Sequence, residues 1–329
     1  MKRALVFIFL LVGFACAGFA GISMLLYHAP REYPEQTVII PPGTGARGVL
    51  AQLHAAGLAP SPALMALPML RAQQASKLKA GEYAFASGLS PSEIIAKIAR
   101  GEVVIHKVTI PEGWNSAQIR AALMAEPLLT GELPAAIPEG SLFPDTMHFA
   151  RGEARASVLA RMQKAHDALL AELWQARAPT VPLTSPEQAV ILASIVEKET
   201  GVTDERAKVA GVFYNRLRIG MKLQSDPTVV YGIEIAQGGA PMGRLLSRAD
   251  LQTDTPHNTY TREGLPPTPI CHPGRAAIAA VLNPEATDAL YFVADGKGGH
   301  RFAASLREHD QNVLEYRRMM AQAASANGQ

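Results

Sequence analysis

The sequence predicts a loop-rich protein of mixed helices and strands that is preceded by one membrane-spanning helix. Residues 4–26 form an apolar run without a charged residue. The segment that follows contains strand patterns and amphipathic helical patterns in alternation. The 329 residues include 27 glycines and 24 prolines but only 6% aromatic residues, which favours a mixed fold with many loops.

The apolar run at residues 4–26 is long enough to cross the hydrocarbon core of a bilayer, which is roughly 30 Å thick. Lys2 and Arg3 precede it, so the positive-inside rule places the N-terminus in the cytoplasm and the rest of the chain outside. A cleaved signal peptide and a lipoprotein anchored at Cys16 are alternatives. The run continues well past Cys16 and Phe14 fits a lipoprotein site poorly, which favours a single-pass anchor.

Charge and cysteine content exclude several classes of function. The formal net charge is +2, which gives no indication of a nucleic-acid partner. The two cysteines are Cys16 in the apolar run and Cys271, so an internal disulfide is not expected. His300, His309 and the pair Cys271-His272 match no standard spacing of zinc ligands, and we expect no metal site.

A small module follows the anchor. Residues 80–85 have a strand pattern, and Ser90 and Glu93 form a capping box for the helix that comes next. A second strand pattern ends at the Pro-Glu-Gly turn of residues 111–113. Strand, helix and strand predict a small βαβ-type module, which binds a ligand or separates domains.

The remainder is predicted to be mainly helical. Residues 155–178 have apolar side chains near helical spacing. Residues 289–294 and 300–303 flank a Gly-rich turn and predict a hairpin. A helix through residues 308–320 follows them.

The helix predicted at residues 185–201 is the most informative stretch. Ser185 suits the N-cap, Pro186 the first helical position, and Gln188 completes a capping box. Residues 189–196 are apolar apart from Ser194, so we expect this helix to be enclosed on most sides.

The same helix ends with acidic residues, Glu197 and Glu199. A carboxyl group at a helix C-terminus faces the negative end of the macrodipole, and burial beside apolar residues also raises its pKa. A carboxyl group that is protonated near neutral pH is what a general acid requires. The alternative is that these charges are simply solvated at a frayed helix end.

Three later loops, residues 223–232, 257–260 and 264–270, are rich in amide, carboxylate and aromatic side chains. Such loops suit a ligand with many hydroxyl groups, although a long surface loop has a similar composition.

The order of several uncommon strings along the chain resembles the YceG-like (MltG) endolytic murein transglycosylase family. The strings are EGSLFPDTMHF, LASIVEKET, FYNRLRIGMKLQSDPTVVYG, LSRADLQT, HNTYTREGLPPTPICHPG and YFVADGKGGHRF. The departures are small, with His257 in place of a Tyr and Leu142 in place of an aromatic residue. The resemblance covers the chain from about residue 79 to the C-terminus and, more loosely, the anchor.

The resemblance implies an α+β fold in a single-pass protein of the cell inner membrane, with its catalytic domain in the periplasm. The implied organisation is residues 1–3 as a cytoplasmic tip, 4–26 as the transmembrane helix, 27–36 as a tether, 37–110 as a LysM-like membrane-proximal module and 111–329 as the catalytic domain.

The resemblance also implies the reaction, which is cleavage of β-1,4 bonds between N-acetylmuramic acid and N-acetylglucosamine to leave 1,6-anhydro ends. The catalytic glutamate of the family is matched to Glu197, and no cofactor is needed. The implied substrate-binding residues are Glu139, Asp145, Gln224, Ser225, Asp226, Tyr231, Asn258 and Tyr260. The implied partners are peptidoglycan glycan strands and, at the site of synthesis, the peptidoglycan synthases.

Three alternatives stay open at the level of sequence. Glu199 competes with Glu197 as the acid, and the two lie about 200° apart on an ideal helix, so both cannot face one cleft. Asp226 as a second carboxylate would make the enzyme a hydrolytic muramidase. A non-catalytic scaffold that binds peptidoglycan would account for the anchor and the polar loops.

Overall fold

The computed structural model describes residues 2–327, and within them it is a mixed α+β protein. The elements in chain order are α1 (Lys2–His28), β1 (Gln36–Ile40), α2 (Ala46–Ala55), α3 (Pro62–Arg71), β2 (Gly81–Phe85), α4 (Pro91–Arg100), β3 (Ile105–Thr109), α5 (Ser116–Ala125), β4 (Thr146–Ala150), α6 (Arg155–Gln175), α7 (Pro186–Glu199), α8 (Arg206–Arg218), α9 (Asp226–Ala236), α10 (Arg275–Leu282), β5 (Tyr291–Ala294), β6 (His300–Ala303) and α11 (Leu306–Asn327).

The predicted apolar helix is confirmed as α1, which has 27 residues and is long and apolar enough to cross a membrane. Nearly all of its apolar side chains are exposed, which is unlike the core helix of a soluble domain. Its last turn is different, because Tyr27 is buried and donates a hydrogen bond to Gln74.

The chain divides into two units, and the first comprises residues up to Lys107 together with His148–Glu153. In this unit β1 pairs antiparallel with β2, with Gln36 opposite Phe85, and α2 and α3 lie between the two strands in sequence. The capping box at the start of α4 is confirmed, since Ser90 and Glu93 each accept a hydrogen bond from the backbone N–H of the other.

The predicted βαβ-type pairing was wrong. β2 and β3 do not share a sheet, because β2 pairs with β1 and β3 pairs with β4. The segment that follows α4 makes one backbone hydrogen bond to β2, from Val104 N–H to Glu82 O at 2.7 Å. The chain after that contact forms its strand ladder with β4 instead, so β3 belongs to a different sheet from β2.

The second unit, Val108–Met147 with the chain from Ala154 onward, is built around α7. This helix packs against α6, α8, α9 and α10. Its apolar run is buried as expected, with Leu192, Ile195 and Val196 fully enclosed. The Ser185 side chain caps the helix by accepting from Gln188 N–H, while the Gln188 side chain bonds Thr184 N–H and leaves the reciprocal bond of the predicted box unmade.

Two helices of this unit, α9 and α10, were not predicted. α9 begins at Asp226-Pro227, a pair of residue types that is also common in turns. A Ser-Asp-Pro run suits both a turn and a helix start, because proline fixes a backbone angle that fits either. The predicted hairpin is confirmed, with β5 antiparallel to β6 and Phe292 opposite Phe302.

Candidate active site

Glu199, the last residue of α7, lies at the wall of a cavity of about 390 Å³. The remaining wall is supplied by α8, α9, the loop after α9, the β5 strand and the start of α11. The cavity is lined by Glu199, Arg216, Gln224, Asp226, Tyr260, Tyr291, Phe292, Leu306 and His309.

One oxygen of the Glu199 carboxyl group is fixed by the protein. Ser225 Oγ donates a hydrogen bond to Glu199 Oε1, and Ser225 itself is only 1% exposed. Glu199 Oε2 has no hydrogen-bond partner among residues 2–322, whose side chains the structure describes. Because Oε1 accepts the serine hydrogen, a proton on this carboxyl group is directed to Oε2, which is available to a ligand.

The surroundings of Glu199 favour its neutral form. Burial raises the pKa of Glu199 to about 7, and the negative charge of Asp226 acts in the same direction. The hydrogen bond from Ser225 and the charges of His300 and Arg216 lower the pKa and offset part of this effect. The result is a carboxyl group that changes charge near neutral pH.

Asp226, Tyr260 and Gln224 surround the acid in the same cavity. The Tyr260 hydroxyl donates to Asp226 Oδ1 at 2.6 Å, which fixes the carboxylate at the first position of α9. Gln224 has a φ of 47°, a left-handed conformation that is strained for a residue with a Cβ. Its backbone N–H donates to Thr259 O at 3.1 Å, which holds the strained turn in place.

Glu197 lies on the opposite side of α7. Its Oε1 accepts from Arg206 Nη2 at 3.2 Å, and its Oε2 accepts from the backbone N–H of Gly274 at 2.9 Å. The side chain is only 6% exposed. Glu197 therefore joins the end of α7 to α8 and to the N-terminus of α10, and both of its oxygens have protein partners.

Glu139 and Tyr231 belong to a separate cluster. Glu139 Oε1 accepts from the backbone N–H of Ser116 at 2.9 Å and from its hydroxyl at 3.2 Å, while Oε2 accepts from the Tyr231 hydroxyl at 3.2 Å. His272 Nε2 lies 3.3 Å from Oε1. Burial raises the pKa of Glu139 to about 7. Ser116, Glu139 and Tyr231 border a second cavity of about 470 Å³ that Glu199 does not line.

The proximity of Ser116, His272 and Glu139 resembles the triad of a serine hydrolase, but its protonation is wrong for that role. His272 Nδ1 accepts from the backbone N–H of Leu142 at 3.0 Å, so the proton of the neutral ring is on Nε2. Burial lowers the pKa of His272 to about 4, which keeps the ring neutral. Nε2 therefore donates to Ser116 Oγ, 2.9 Å away, and cannot accept its proton.

Two predicted substrate-binding residues have local roles. Asn258 is fully buried, and its amide group donates to Leu251 O and Thr253 O while its Oδ1 accepts from Tyr260 N–H. Asn258 thus shapes the loop that presents Tyr260. Asp145 is exposed and accepts from the N–H of the next residue, and it lines neither cavity.

Sequence reasoning missed several residues of the Glu199 cavity. Arg216 and Tyr291 were not identified as site residues, and His309 was considered only as a zinc ligand that matched no standard spacing. No local motif distinguishes them, because they come together only when α8, β5 and α11 pack. Within residues 2–327 no group of three His, Cys, Asp or Glu side chains is arranged to hold a metal ion.

Comparison with known proteins agrees with this arrangement of elements. The model of the YceG-like family matches residues 38–315. The endolytic murein transglycosylase of Bacillus subtilis is 30% identical over an alignment of 273 residues, and the match covers 74% of this chain and 74% of that protein. The endolytic murein transglycosylase of Streptococcus pneumoniae R6 is 31% identical over 328 residues, and the match covers 85% of this chain.

The chain spans only 58% of the length of that pneumococcal relative. In the crystal structure of a YceG-like protein from Listeria monocytogenes, the match covers 85% of this chain and 99% of the other, with 28% identity and a TM-score of 0.52. The family match extends over most of the residues that form the two units and the Glu199 cavity. The chain therefore belongs to the YceG-like family.

Proposed function

We propose that this protein is a membrane-anchored endolytic lytic transglycosylase of peptidoglycan and that Glu199 is its general acid and base. The observation that carries the proposal is the Glu199 carboxyl group, with Oε1 held by Ser225 and Oε2 free at a polar cavity. The names of the relatives, endolytic murein transglycosylases, support the choice of substrate and reaction.

In the first step the proton on Glu199 Oε2 is transferred to the glycosidic oxygen between N-acetylmuramic acid and N-acetylglucosamine. The electron pair of the bond from C1 to this oxygen stays with the oxygen as the bond breaks. Positive charge develops at C1 of the muramic acid, and the carboxylates of Glu199 and Asp226 stabilise it. A pKa of about 7 leaves Glu199 protonated in a large fraction of molecules at neutral pH.

In the second step the Glu199 carboxylate accepts the proton of the C6 hydroxyl of the same sugar, and O6 bonds to C1. The product end is 1,6-anhydro-N-acetylmuramic acid, and no water is consumed. The carboxyl group is protonated again, so one glutamate serves both steps. This differs from hydrolysis by glycosidases, which ordinarily use two carboxyl groups.

Glu199 is preferred over Glu197 because of what each carboxyl group contacts. Glu197 accepts hydrogen bonds on both oxygens, one of them from the guanidinium of Arg206. Neither oxygen of Glu197 is therefore free to face a substrate. We assign to Glu197 the role of holding the end of α7, so that Glu199 and Ser225 stay in register.

The other cavity residues are suited to a sugar chain. Tyr260, Tyr291 and Phe292 offer aromatic faces against which the apolar face of a pyranose ring packs. Gln224 and Asp226 offer an amide and a carboxylate to the hydroxyl groups. Binding of several sugars on both sides of Glu199 would position the bond and orient C6 for attack.

The proposed setting follows from α1 and from the family resemblance. α1 anchors the protein in the cell inner membrane with Lys2 and Arg3 in the cytoplasm, and the catalytic unit acts in the periplasm. The first unit, with its β1-α2-α3-β2 order, is the candidate LysM-like module, and the predicted domain boundary at residue 110 belongs to this proposal. We expect the enzyme to cleave nascent glycan strands beside the peptidoglycan synthases.

The test is product analysis of purified sacculi incubated with the full chain in detergent, as wild type, Glu199→Gln, Glu197→Gln and Asp226→Asn. We expect internal fragments with 1,6-anhydro ends from the wild type and at least about a hundredfold less from Glu199→Gln. Glu197→Gln should keep measurable turnover with a lower thermal stability. Loss of all activity in Glu197→Gln at full stability, with Glu199→Gln active, would reverse the assignment.

The same digest separates the alternatives. Reducing ends in place of 1,6-anhydro ends would make the protein a muramidase and Asp226 its second carboxyl group. Retention of the protein on sacculi without cleavage by any variant would indicate a binding scaffold.

A further inference from the structure

Arg216 is a buried cation in the wall of the Glu199 cavity, with an exposed fraction of 6%. Two of its three guanidinium nitrogens are bound to the backbone. Nε donates to Leu290 O at 2.7 Å, and Nη1 donates to Leu223 O. Nη2 has no acceptor among residues 2–327, which leaves it as the donor available to a ligand in the cavity.

The guanidinium is also held in place by aromatic rings. Its central carbon is 5.7 Å from the ring centroid of Tyr291 and 5.9 Å from that of Phe292. A donor held by two backbone carbonyls and two rings loses little conformational freedom when it binds a ligand. Arg216 Nη2 is not among the enclosed polar atoms that lack a partner, so it is open to the cavity, where a ligand can accept a hydrogen bond from it.

The chemistry of the cavity identifies the kind of acceptor. A guanidinium only donates hydrogen bonds, and its best neutral acceptor is a carbonyl oxygen. Phe292 and Leu306 line the same cavity and offer apolar side chains against which a methyl group can pack. A carbonyl oxygen beside a methyl group is an acetamide, and both sugars of the proposed substrate carry one at C2.

We infer that Arg216 is a specificity-determining residue that binds the 2-acetamido carbonyl of the sugar next to Glu199 and restricts the enzyme to N-acetylated glycan. The inference rests on the proposed function for its substrate. In a de-N-acetylated sugar the carbonyl is replaced by an ammonium group. Arg216 then loses its acceptor and faces a like charge at short range.

The experiment compares three forms of one sacculus preparation, which are untreated, chemically de-N-acetylated, and de-N-acetylated and then re-acetylated with acetic anhydride. The full chain in detergent is incubated with each, and both released fragments and retained protein are quantified. For the wild type we expect kcat/KM to be about 10- to 100-fold lower on the de-N-acetylated form, the range of one hydrogen bond to a charged group, with recovery after re-acetylation.

Arg216→Lys keeps the cation but loses the planar fork, so one ammonium group cannot serve both carbonyls and the ligand. Its preference for the re-acetylated over the de-N-acetylated form should shrink to about threefold or less, mainly through lower activity on acetylated glycan. Arg218→Lys is the matched control, since Arg218 is in the same helical turn, is exposed and donates to Asn215 Oδ1. This control should keep the full preference.

Equal turnover of the acetylated and de-N-acetylated forms by the wild type would overturn the inference, whatever the stability of the variants. The inference would also be overturned if Arg216→Lys were folded and kept the full preference for acetylated glycan. If none of the three forms is cleaved, the proposed function fails. The inference about Arg216 is then tested only by how much protein each form of sacculus retains. Selective retention on acetylated sacculi that Arg216→Lys loses would support it, and equal retention on all forms would contradict it.

Discussion

Ser225 Oγ donates its hydrogen to Oε1 of Glu199, and this bond directs the proton of the neutral carboxyl group to Oε2. Ser225 is the N-cap residue of α9, and Glu199 is the last residue of α7. The contact therefore joins the ends of two helices at the point where the cavity opens. We predict two opposite shifts of the pH profile of kcat/KM. One follows from loss of this hydrogen bond, and the other from loss of the negative charge of the neighbouring Asp226.

Replacing Ser225 with alanine should move the alkaline limb of the kcat/KM profile to higher pH. The hydrogen bond from Ser225 lowers the pKa of Glu199, so its loss raises that pKa. At the plateau kcat should fall about tenfold, because the proton is no longer confined to Oε2. Ser141→Ala is the control, since its hydroxyl donates to Pro138 O on the surface. An alkaline limb that moves to lower pH would contradict the role of Ser225.

Replacing Asp226 with asparagine should move the same limb the other way. The negative charge of Asp226 raises the pKa of Glu199, and its removal leaves the acid deprotonated at a lower pH. Asp254→Asn is the matched control, because Asp254 pairs with Arg262 on the surface at 3.1 Å. The rate on sacculi is measured between pH 5 and pH 9 for wild type and both variants. No shift in Asp226→Asn would mean that its carboxylate does not act on Glu199.

The part of this site that could be predicted from the sequence is the helix that carries it. The capping residue Ser185 and the apolar run of α7 depend on local properties, and both appear in the structure as expected. The 200° separation of Glu197 and Glu199 is likewise a property of helix geometry. Their contacts agree with it, since one carboxyl group meets Arg206 and the other meets Ser225.

The side of α7 that faces the cavity could not be predicted locally. It depends on where α8, α9 and α10 pack, and neither α9 nor α10 was evident from local sequence patterns. Arg216 illustrates the same limit. Its charge at the end of α8 was evident, but its two carbonyl partners come from Leu223 and Leu290, which only tertiary packing brings to it.

The strained residue Gln224 allows stability and function to be separated. Its φ of 47° disfavours any side chain with a Cβ, whereas glycine adopts this conformation readily. Gln224→Gly should therefore be more stable than Gln224→Ala by about 1 kcal/mol. Both remove the amide from the cavity, so both should lower kcat/KM to a similar extent. Thermal unfolding and turnover of the two variants check this, and equal stability would argue against strain at Gln224.

Glu139 gives a prediction about stability rather than catalysis. Its carboxyl group has an ordinary pKa of 4.5, and burial raises the pKa to about 7 in the folded protein. Between these values the folded state holds a proton that the unfolded state has released. The free energy of unfolding should thus fall as pH rises from about 4.5 to about 7, by on the order of 3 kcal/mol at most.

Glu139→Gln should remove this pH dependence, because the amide reproduces the protonated form. Its oxygen can accept from Ser116 as Oε1 does, and its NH₂ can donate to the Tyr231 hydroxyl in place of the proton on Oε2. Denaturant unfolding should then show equal stability of variant and wild type near pH 5 and a more stable variant at pH 8. Burial of Glu199 shifts its pKa in the same direction and is common to both proteins, so the difference in stability between them isolates Glu139.

Glu139→Ala should lose about 2 kcal/mol of stability at every pH, since it leaves the Ser116 N–H and the Tyr231 hydroxyl without their acceptor. A wild type whose stability rises between pH 5 and pH 8, with Glu139→Gln less stable throughout, would show that Glu139 is ionised in the folded protein and held as a charge by its three hydrogen-bond donors.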